Sequence, residues 1–275
     1  MIITYGKTFK RRACWPDKVS TSIPNTVGHL LSDRRKMPHK IFSLQQAARH
    51  IRIPERELFH LVQREEIPYL KRGDEVVFER RMIDDWAQRR ILGLPPRTLA
   101  EQHREETITR LRQDSNDILV ERLLRPEWIA PNLASHTKPG VIRDMVALAV
   151  TTGLLYDDTA LLREIEARET ASSTAISGGA AFLHARYHDP YFASDSFIVF
   201  GKTAQHIFFG AQDGEQTDLF FLICCMDDTL HLHVLARLCM LAHGTMLLSD
   251  LRAATSSDEM YHSLCRAERD LLKAF

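Results

Sequence analysis

Leu219-Phe220-Phe221-Leu222-Ile223-Cys224-Cys225 is apolar at every position, so neither face of the strand it predicts can look at water. A strand with one wet face alternates polar and apolar residues, whereas an unbroken apolar run belongs in a central strand with helices on each side. The flanking patterns supply those helices. Val141–Thr152 and Asp158–Glu166 read as helices, Ser196–Phe200, Gln205–Phe209 and Asp218–Met226 as strands, and Leu230–Ala242 and Ser257–Lys273 as helices again. The expected fold class over 128–275 is therefore α/β, a sandwich of sheet and helices. At 275 residues the chain exceeds one average domain of ~100–150 residues, so a second, smaller domain is expected ahead of it.

Charge separates the parts. The chain has 36 basic and 36 acidic residues, but residues 1–40 carry +7, 41–93 carry +1, 94–127 carry −1 and 128–275 carry −7. Residues 1–40 set Lys10-Arg11-Arg12 and Arg34-Arg35-Lys36 among three prolines and keep no helical or strand period, which reads as a flexible basic arm. Translation from Met37 is the alternative, in which case the arm is absent from the native chain. No apolar run approaches the ~18 residues of a membrane helix, and the opening residues lack the apolar stretch of a signal peptide, so a cytoplasmic protein without membrane insertion is expected. Five cysteines without C-x-x-C spacing argue against a disulfide framework and a zinc site, and no metal is expected.

Within 41–93, Ser43 opens a helix, His50-Ile51-Arg52-Ile53-Pro54 breaks it, and a second helix runs from Glu55 to Arg64. Ile67–Leu70 and Val76–Phe78 predict two short strands about a turn at Lys71–Asp74, and Glu79–Arg90 a third helix. This order resembles the excisionase and MerR-like winged helix-turn-helix family over about fifty residues. The resemblance implies a second helix that enters the major groove of duplex DNA, with Arg56, His60 and Arg64 toward bases or phosphates and Lys71 and Arg72 of the wing on the backbone. A protein-binding scaffold is the plain alternative, since Glu55, Glu57, Glu65 and Glu66 dilute the cations that phosphate binding requires. Thr98–Leu124 reads as a charged helical linker within 94–127, with too short an apolar repeat to settle whether it forms a homodimer seam.

The chemistry-bearing pattern lies in the larger part. Arg168-Glu169 ends a helix, Ser172-Ser173-Thr174 and Ser177-Gly178-Gly179 follow, a short strand Ala180–Leu183 leads to His184, and His231 opens a later helix in DDTLHLHVLARL. In this order the residues resemble enzyme IIA of the fructose/mannitol class of the sugar phosphotransferase system, nitrogen-regulatory members included. The resemblance covers about 145 residues. It implies that His184 accepts a phosphoryl group from the phosphocarrier protein HPr, that Arg168 and His231 surround the phosphorylated ring, and that Thr174 contacts the phosphate. It implies no cofactor. Family members usually have proline just before the active histidine, where this chain has Leu183.

Physical chemistry supports those roles. Neutral imidazole offers a nucleophilic nitrogen near pH 7, and a guanidinium presents a planar fork of donors to equatorial phosphoryl oxygens. At the start of a helix, the macrodipole favours a neutral ring at His231 that can donate to phosphate. His233, two residues on and about 200° around the helix, faces elsewhere. Three functions stay open: a phosphotransferase-linked regulator with a DNA-binding part, a soluble enzyme IIA component of sugar transport, and a sensor that binds partner proteins without being phosphorylated.

Overall fold

The computed structural model describes residues 41–73, 75–93, 119–186 and 192–273. The basic arm, most of the linker helix and Cys14 lie outside the described residues. The chain divides into two compact units, the smaller comprising described residues 41–49 and 54–83, the larger 50–53 and 84–273. The division runs through the end of one helix and the start of another. Among the described residues, no single helix is long and apolar enough to cross a membrane.

In the smaller unit, strand β1 (Ile41–Ser43) leads into helix α1 (Leu44–Ile51), followed by α2 (Glu55–Gln63), β2 (Leu70–Arg72), β3 (Glu75–Glu79) and α3 (Arg80–Gly93). The strands form an antiparallel sheet in the order β1-β3-β2, with Phe42 opposite Phe78 and Leu70 opposite Val77. Ser43 Oγ accepts from Gln46 N while Gln46 Oε1 accepts from Ser43 N, a reciprocal cap that starts α1. At the other end of α2, Glu66 N donates to the Leu61 carbonyl and Glu65 N to that of Val62, with Glu65 at φ +56°. Glycine suits that left-handed position best, and this chain places glutamate there. β1 is an element the sequence pattern did not predict. Its three residues are too few to show a period.

The larger unit holds a mixed five-stranded sheet in the order β4-β7-β8-β6-β5. Its elements after α3 are α4 (Val120–Leu123), β4 (Ile129–Leu133), α5 (Lys138–Val150), α6 (Asp158–Ala171), β5 (Ala175–Ile176) and β6 (Ala180–His184). Then come β7 (Phe197–Ile207), β8 (Thr217–Cys224), α7 (Asp228–Gly244), α8 (Leu247–Ala253) and α9 (Ser257–Lys273). β8 is the central strand, buried at all eight positions, parallel to β6 and antiparallel to β7. Thr137, Asp157 and Asp227 side chains cap α5, α6 and α7.

Two sequence expectations need correction. Ser196–Phe200 and Gln205–Phe209 are not separate strands, because β7 runs continuously through Gly201. A Cβ there would stand 2.6 Å from Leu133 Cδ1 and 2.8 Å from Met145 Sδ, so the glycine permits close packing rather than a break. β4 escaped notice because Pro131 and Asn132 interrupt its apolar pattern, which an edge strand tolerates.

Candidate functional site

His184 closes β6 beside Ile223 of β8, and α7 begins four residues after β8 ends. The carboxyl ends of two adjacent parallel strands thus converge on the helix that carries His231, the usual place for a site in an α/β sheet. The His184 and His231 rings lie 4.8 Å apart, centroid to centroid, and both side chains are fully buried. His184 Nδ1 is 2.7 Å from the Phe182 carbonyl oxygen. A carbonyl only accepts, so Nδ1 carries the proton and the lone pair resides on Nε2.

Arg168 approaches that lone pair from the last turn of α6. Its Nε donates to His184 Nε2 at 3.3 Å and its Nη1 to the Ser172 carbonyl at 2.6 Å. Nη2 is buried with no hydrogen-bond partner among the described residues. Burial pushes the guanidinium pKa down, opposed by the charges of Glu169 and Asp85. A solvated helix end is therefore not what Arg168 and Glu169 form.

Glu169 turns away from Arg168. Its Oε1 accepts from the backbone N (3.0 Å) and the hydroxyl of Thr174, and its Oε2 lies 2.7 Å from Lys138 Nζ. Lys138 also donates to the Phe209 carbonyl at 2.8 Å, and Ser173 Oγ to the same carbonyl at 3.0 Å. These bonds pin the loop after α6, and with it the Ser172 carbonyl that orients Arg168. The hydroxyl proton of Thr174 is committed to Glu169, so a phosphate contact from Thr174 would have to displace that carboxylate.

The structure brings His184, Arg168 and His231 together and sets Thr174 one carboxylate away. Sequence reading missed Gln88 and Lys138. Gln88, on α3 within the larger unit, is 1% exposed and places its amide Oε1 3.2 Å from His184 Nε2. With a lone pair on Nε2, the amide end that suits this contact is NH₂, since the two ends have the same shape. Nothing in sequence links an amide to a histidine 96 positions later. Lys138 is the first residue of α5 and carries no motif. His233 is also buried, which local helix geometry alone did not show.

Arg56, His60, Arg64, Lys71 and Arg72 are all exposed, on α2, its C-terminal end and β2 of the smaller unit. Phe59, between two of them in sequence, is 49% exposed. Among the described residues, one group of side chains could hold a cation: His50, Asp84 and Asp228 of the larger unit, whose donor atoms lie within 4.8 Å of one another. His50 Nε2 is already 2.5 Å from Asp84 Oδ1. Cys224, Cys225, Cys239 and Cys265 are free and buried, and burial pushes the Cys224 thiol up to about 12, which keeps it protonated and inert.

Residues 122–266, just over half of the chain, match the family model described as phosphoenolpyruvate-dependent sugar phosphotransferase system, EIIA 2. The match starts within α4 and ends within α9. The PTS system fructose-specific EIIABC component of Bacillus subtilis (strain 168) is 30% identical over 141 residues, which make up 50% of this chain and 22% of that protein. The chain therefore spans less than a quarter of that relative's length. Among solved structures, nitrogen regulatory protein IIA-Ntr from Neisseria meningitidis is similar at 20% identity, over 53% of this chain and 98% of that one, with a TM-score of 0.48. IIA mannitol from Escherichia coli is similar at 20% identity, over 51% and 98%, with a TM-score of 0.46.

Proposed function

Since the chain belongs to the phosphoenolpyruvate-dependent sugar phosphotransferase system EIIA 2 family, we propose that His184 accepts a phosphoryl group on Nε2 from the phosphohistidine of an HPr-type carrier. The observation that carries this reading is the Phe182 carbonyl on Nδ1, which fixes the tautomer and leaves Nε2 as the nucleophile. In the transfer, the P–N bond on the carrier breaks as the bond to Nε2 forms. Nδ1 keeps its proton and its hydrogen bond throughout, so no base is needed. Arg168 supplies positive charge at the reacting nitrogen, with Nη2 as an uncommitted donor for a phosphoryl oxygen, and His231 lines the same side.

Incubation with the carrier and its phosphate donor should place one acid-labile, base-stable phosphate on the protein, the behaviour of a phosphoramidate and not of phosphoserine. His184→Ala should abolish it. Label that persists in this variant would move the chemistry to another residue.

The smaller unit, on this reading a winged helix-turn-helix, binds duplex DNA and makes the protein a phosphotransferase-linked regulator. The exposed cations of α2 and the β2 hairpin support this, together with the +7 arm as an auxiliary phosphate contact. Affinity of the full chain for duplex DNA should fall steeply as salt rises, and no binding at ~50 mM salt would overturn it. The fructose-specific relative favours a second reading, in which His184 passes its phosphoryl group to a sugar-transport partner. Phosphate would then leave His184 for a separate phosphorylatable protein faster than it returns to the carrier.

A further inference from the structure

With the phosphoacceptor reading as its premise, the structure raises a steric question that the reading leaves unanswered. The Nε2 lone pair must meet a phosphorus atom in line, yet His184 has no exposed surface, and Gln88 fills the space 3.2 Å from that nitrogen. A P–N bond of under 2 Å with three oxygens beyond it needs the volume the amide occupies. The helix that carries Gln88 is itself packed in place. Gln88 sits in the part of α3 that belongs to the larger unit, whose Ile91 and Leu92 pack against the main apolar core.

The segment also brings charge close to the site. Asp85, one turn before Gln88, is close enough to Arg168 to raise its pKa, and it is itself paired with Arg89, 3.1 Å away. Asp84, the preceding residue, is buried near Asp228 at the start of α7. A phosphoryl group brings roughly −1.5 to −2 charge, which these carboxylates oppose and which Arg89 and Arg186, cations close enough to Arg168 to lower its pKa, attract. The segment that carries Gln88 thus brings charges of both signs, its aspartates paired with His50 and Arg89, and competition for the phosphoryl position rests on volume.

We propose that the face around His184 is an interaction surface with two competing occupants: the chain's own Asp84–Gly93 segment, with Gln88 as its plug, and the phosphorylated carrier. Each state excludes the other. With Gln88 seated, His184 is closed to transfer; once phosphorylated, His184 cannot take Gln88 back. By linkage, whatever holds the segment in place lowers the apparent phosphorylation rate by the fraction of chains that are open, and phosphorylation releases the segment.

The test uses the full chain and two probes. Diethyl pyrocarbonate acylates a neutral imidazole nitrogen that it can reach, so site-resolved mass spectrometry reads access to His184 without any carrier. Loss of one buried hydrogen bond shifts an open fraction by about two- to tenfold, so Gln88→Ala should raise both acylation of His184 and carrier-driven phosphorylation by about that factor. Gln88→Glu, whose carboxylate can pair with Arg168, should slow both. In the unaltered protein, amide exchange over residues 84–93 should quicken on phosphorylation, a readout independent of any variant's folding.

Equal acylation of His184 in the unaltered protein and Gln88→Ala, or exchange over 84–93 that phosphorylation leaves unchanged, would overturn the plug. If the carrier labels neither protein although Gln88→Ala opens His184 to the reagent, the phosphoacceptor reading falls instead.

Discussion

Two fully buried arginines in the larger unit are treated in opposite ways. Arg237, in the middle of α7, makes a 2.9 Å ion pair with Glu268 of α9, both side chains having no exposed surface. Glu268 also accepts from the backbone N–H groups of Leu119, Val120 and Glu121, capping α4. Burial pushes the Glu268 carboxyl up, and Arg237 and those N–H groups pull it back toward the charged form. Arg168 has a glutamate as its sequence neighbour and does not touch it. Its bonds go to a backbone carbonyl and an imidazole, and one guanidinium nitrogen stays unsatisfied.

The difference separates structure from function. A buried charge that is fully paired holds helices together, and its removal orphans its partner. A buried charge whose hydrogen bonds go only to neutral groups, with carboxylates acting on it without bonding it, is kept at a cost, and an arriving anion is the group that would relieve it. Glu169 makes that possible by taking Thr174 and Lys138 as hydrogen-bond and ion-pair partners, so that its charge still acts on Arg168 while the guanidinium donors stay uncommitted to it.

The same substitution at both sites puts this difference to measurement. Arg237→Met should lower stability by about 3–5 kcal/mol, because Glu268 is left buried without its counter-charge. Adding Glu268→Gln should recover most of the loss, since an amide oxygen still accepts from the α4 backbone and no charge remains inside. Denaturant midpoints with unchanged slopes measure both. A loss below about 1 kcal/mol for Arg237→Met would mean that the pair contributes no more than an exposed one.

Arg168→Met should change stability by no more than about 1 kcal/mol, because it removes an incompletely paired charge and keeps the apolar stem. Transfer to His184 should nevertheless slow by roughly 10²–10³-fold, the usual effect of removing a charge-stabilising donor. Stopped transfer accompanied by a stability loss as large as that of Arg237→Met would erase the contrast. Glu169→Gln comes between them. Lys138 loses its counter-charge while the Thr174 bonds can persist, so stability should fall by about 1.5–3 kcal/mol, with Arg168 and transfer less affected.

How far these sites were legible in sequence follows from how local their signals are. α9 runs from Ser257 to Lys273 as its pattern predicted, and the central strand announced itself by seven apolar residues. His184, Arg168 and His231 stand at fixed places in a recognisable order, and the structure draws them together. Arg237 and Glu268 gave no signal: each is a charge within an ordinary helix, and only tertiary packing puts them in contact. Gln88 failed for the same reason. β7 was read as two strands, and the glycine between them, Gly201, is where Leu133 and Met145 pack against the continuous strand.

A third arginine grades the comparison at its weak end. Arg252 of α8 grips the Asp218 carboxylate with two nitrogens, Nε donating to Oδ2 at 2.8 Å and to Oδ1 at 3.1 Å and Nη2 to Oδ1 at 2.6 Å, and Nη2 also reaches the Gly178 carbonyl at 2.7 Å. The geometry is as good as that of Arg237, and the Asp218 bonds push the guanidinium pKa further up. Solvent makes the difference, because the Arg252 side chain is 35% exposed, and water and salt screen a pair that Arg237 keeps dry. Arg252→Ala should therefore lower stability by about 1 kcal/mol, with the loss shrinking as salt rises. The adjoining glycine turn adds an internal control. A Cβ at Gly179, which has φ +82°, would stand 2.5 Å from Arg252 Nη2. Gly179→Ala should thus cost about 1 kcal/mol or more through backbone strain and the Gln216 carbonyl 3.1 Å from the new Cβ even in the Arg252→Ala background, and only the part due to the Nη2 clash should vanish there. If the two losses add in full, Arg252 and the turn are energetically independent, and the hydrogen bond to Gly178 contributes nothing to seating β6.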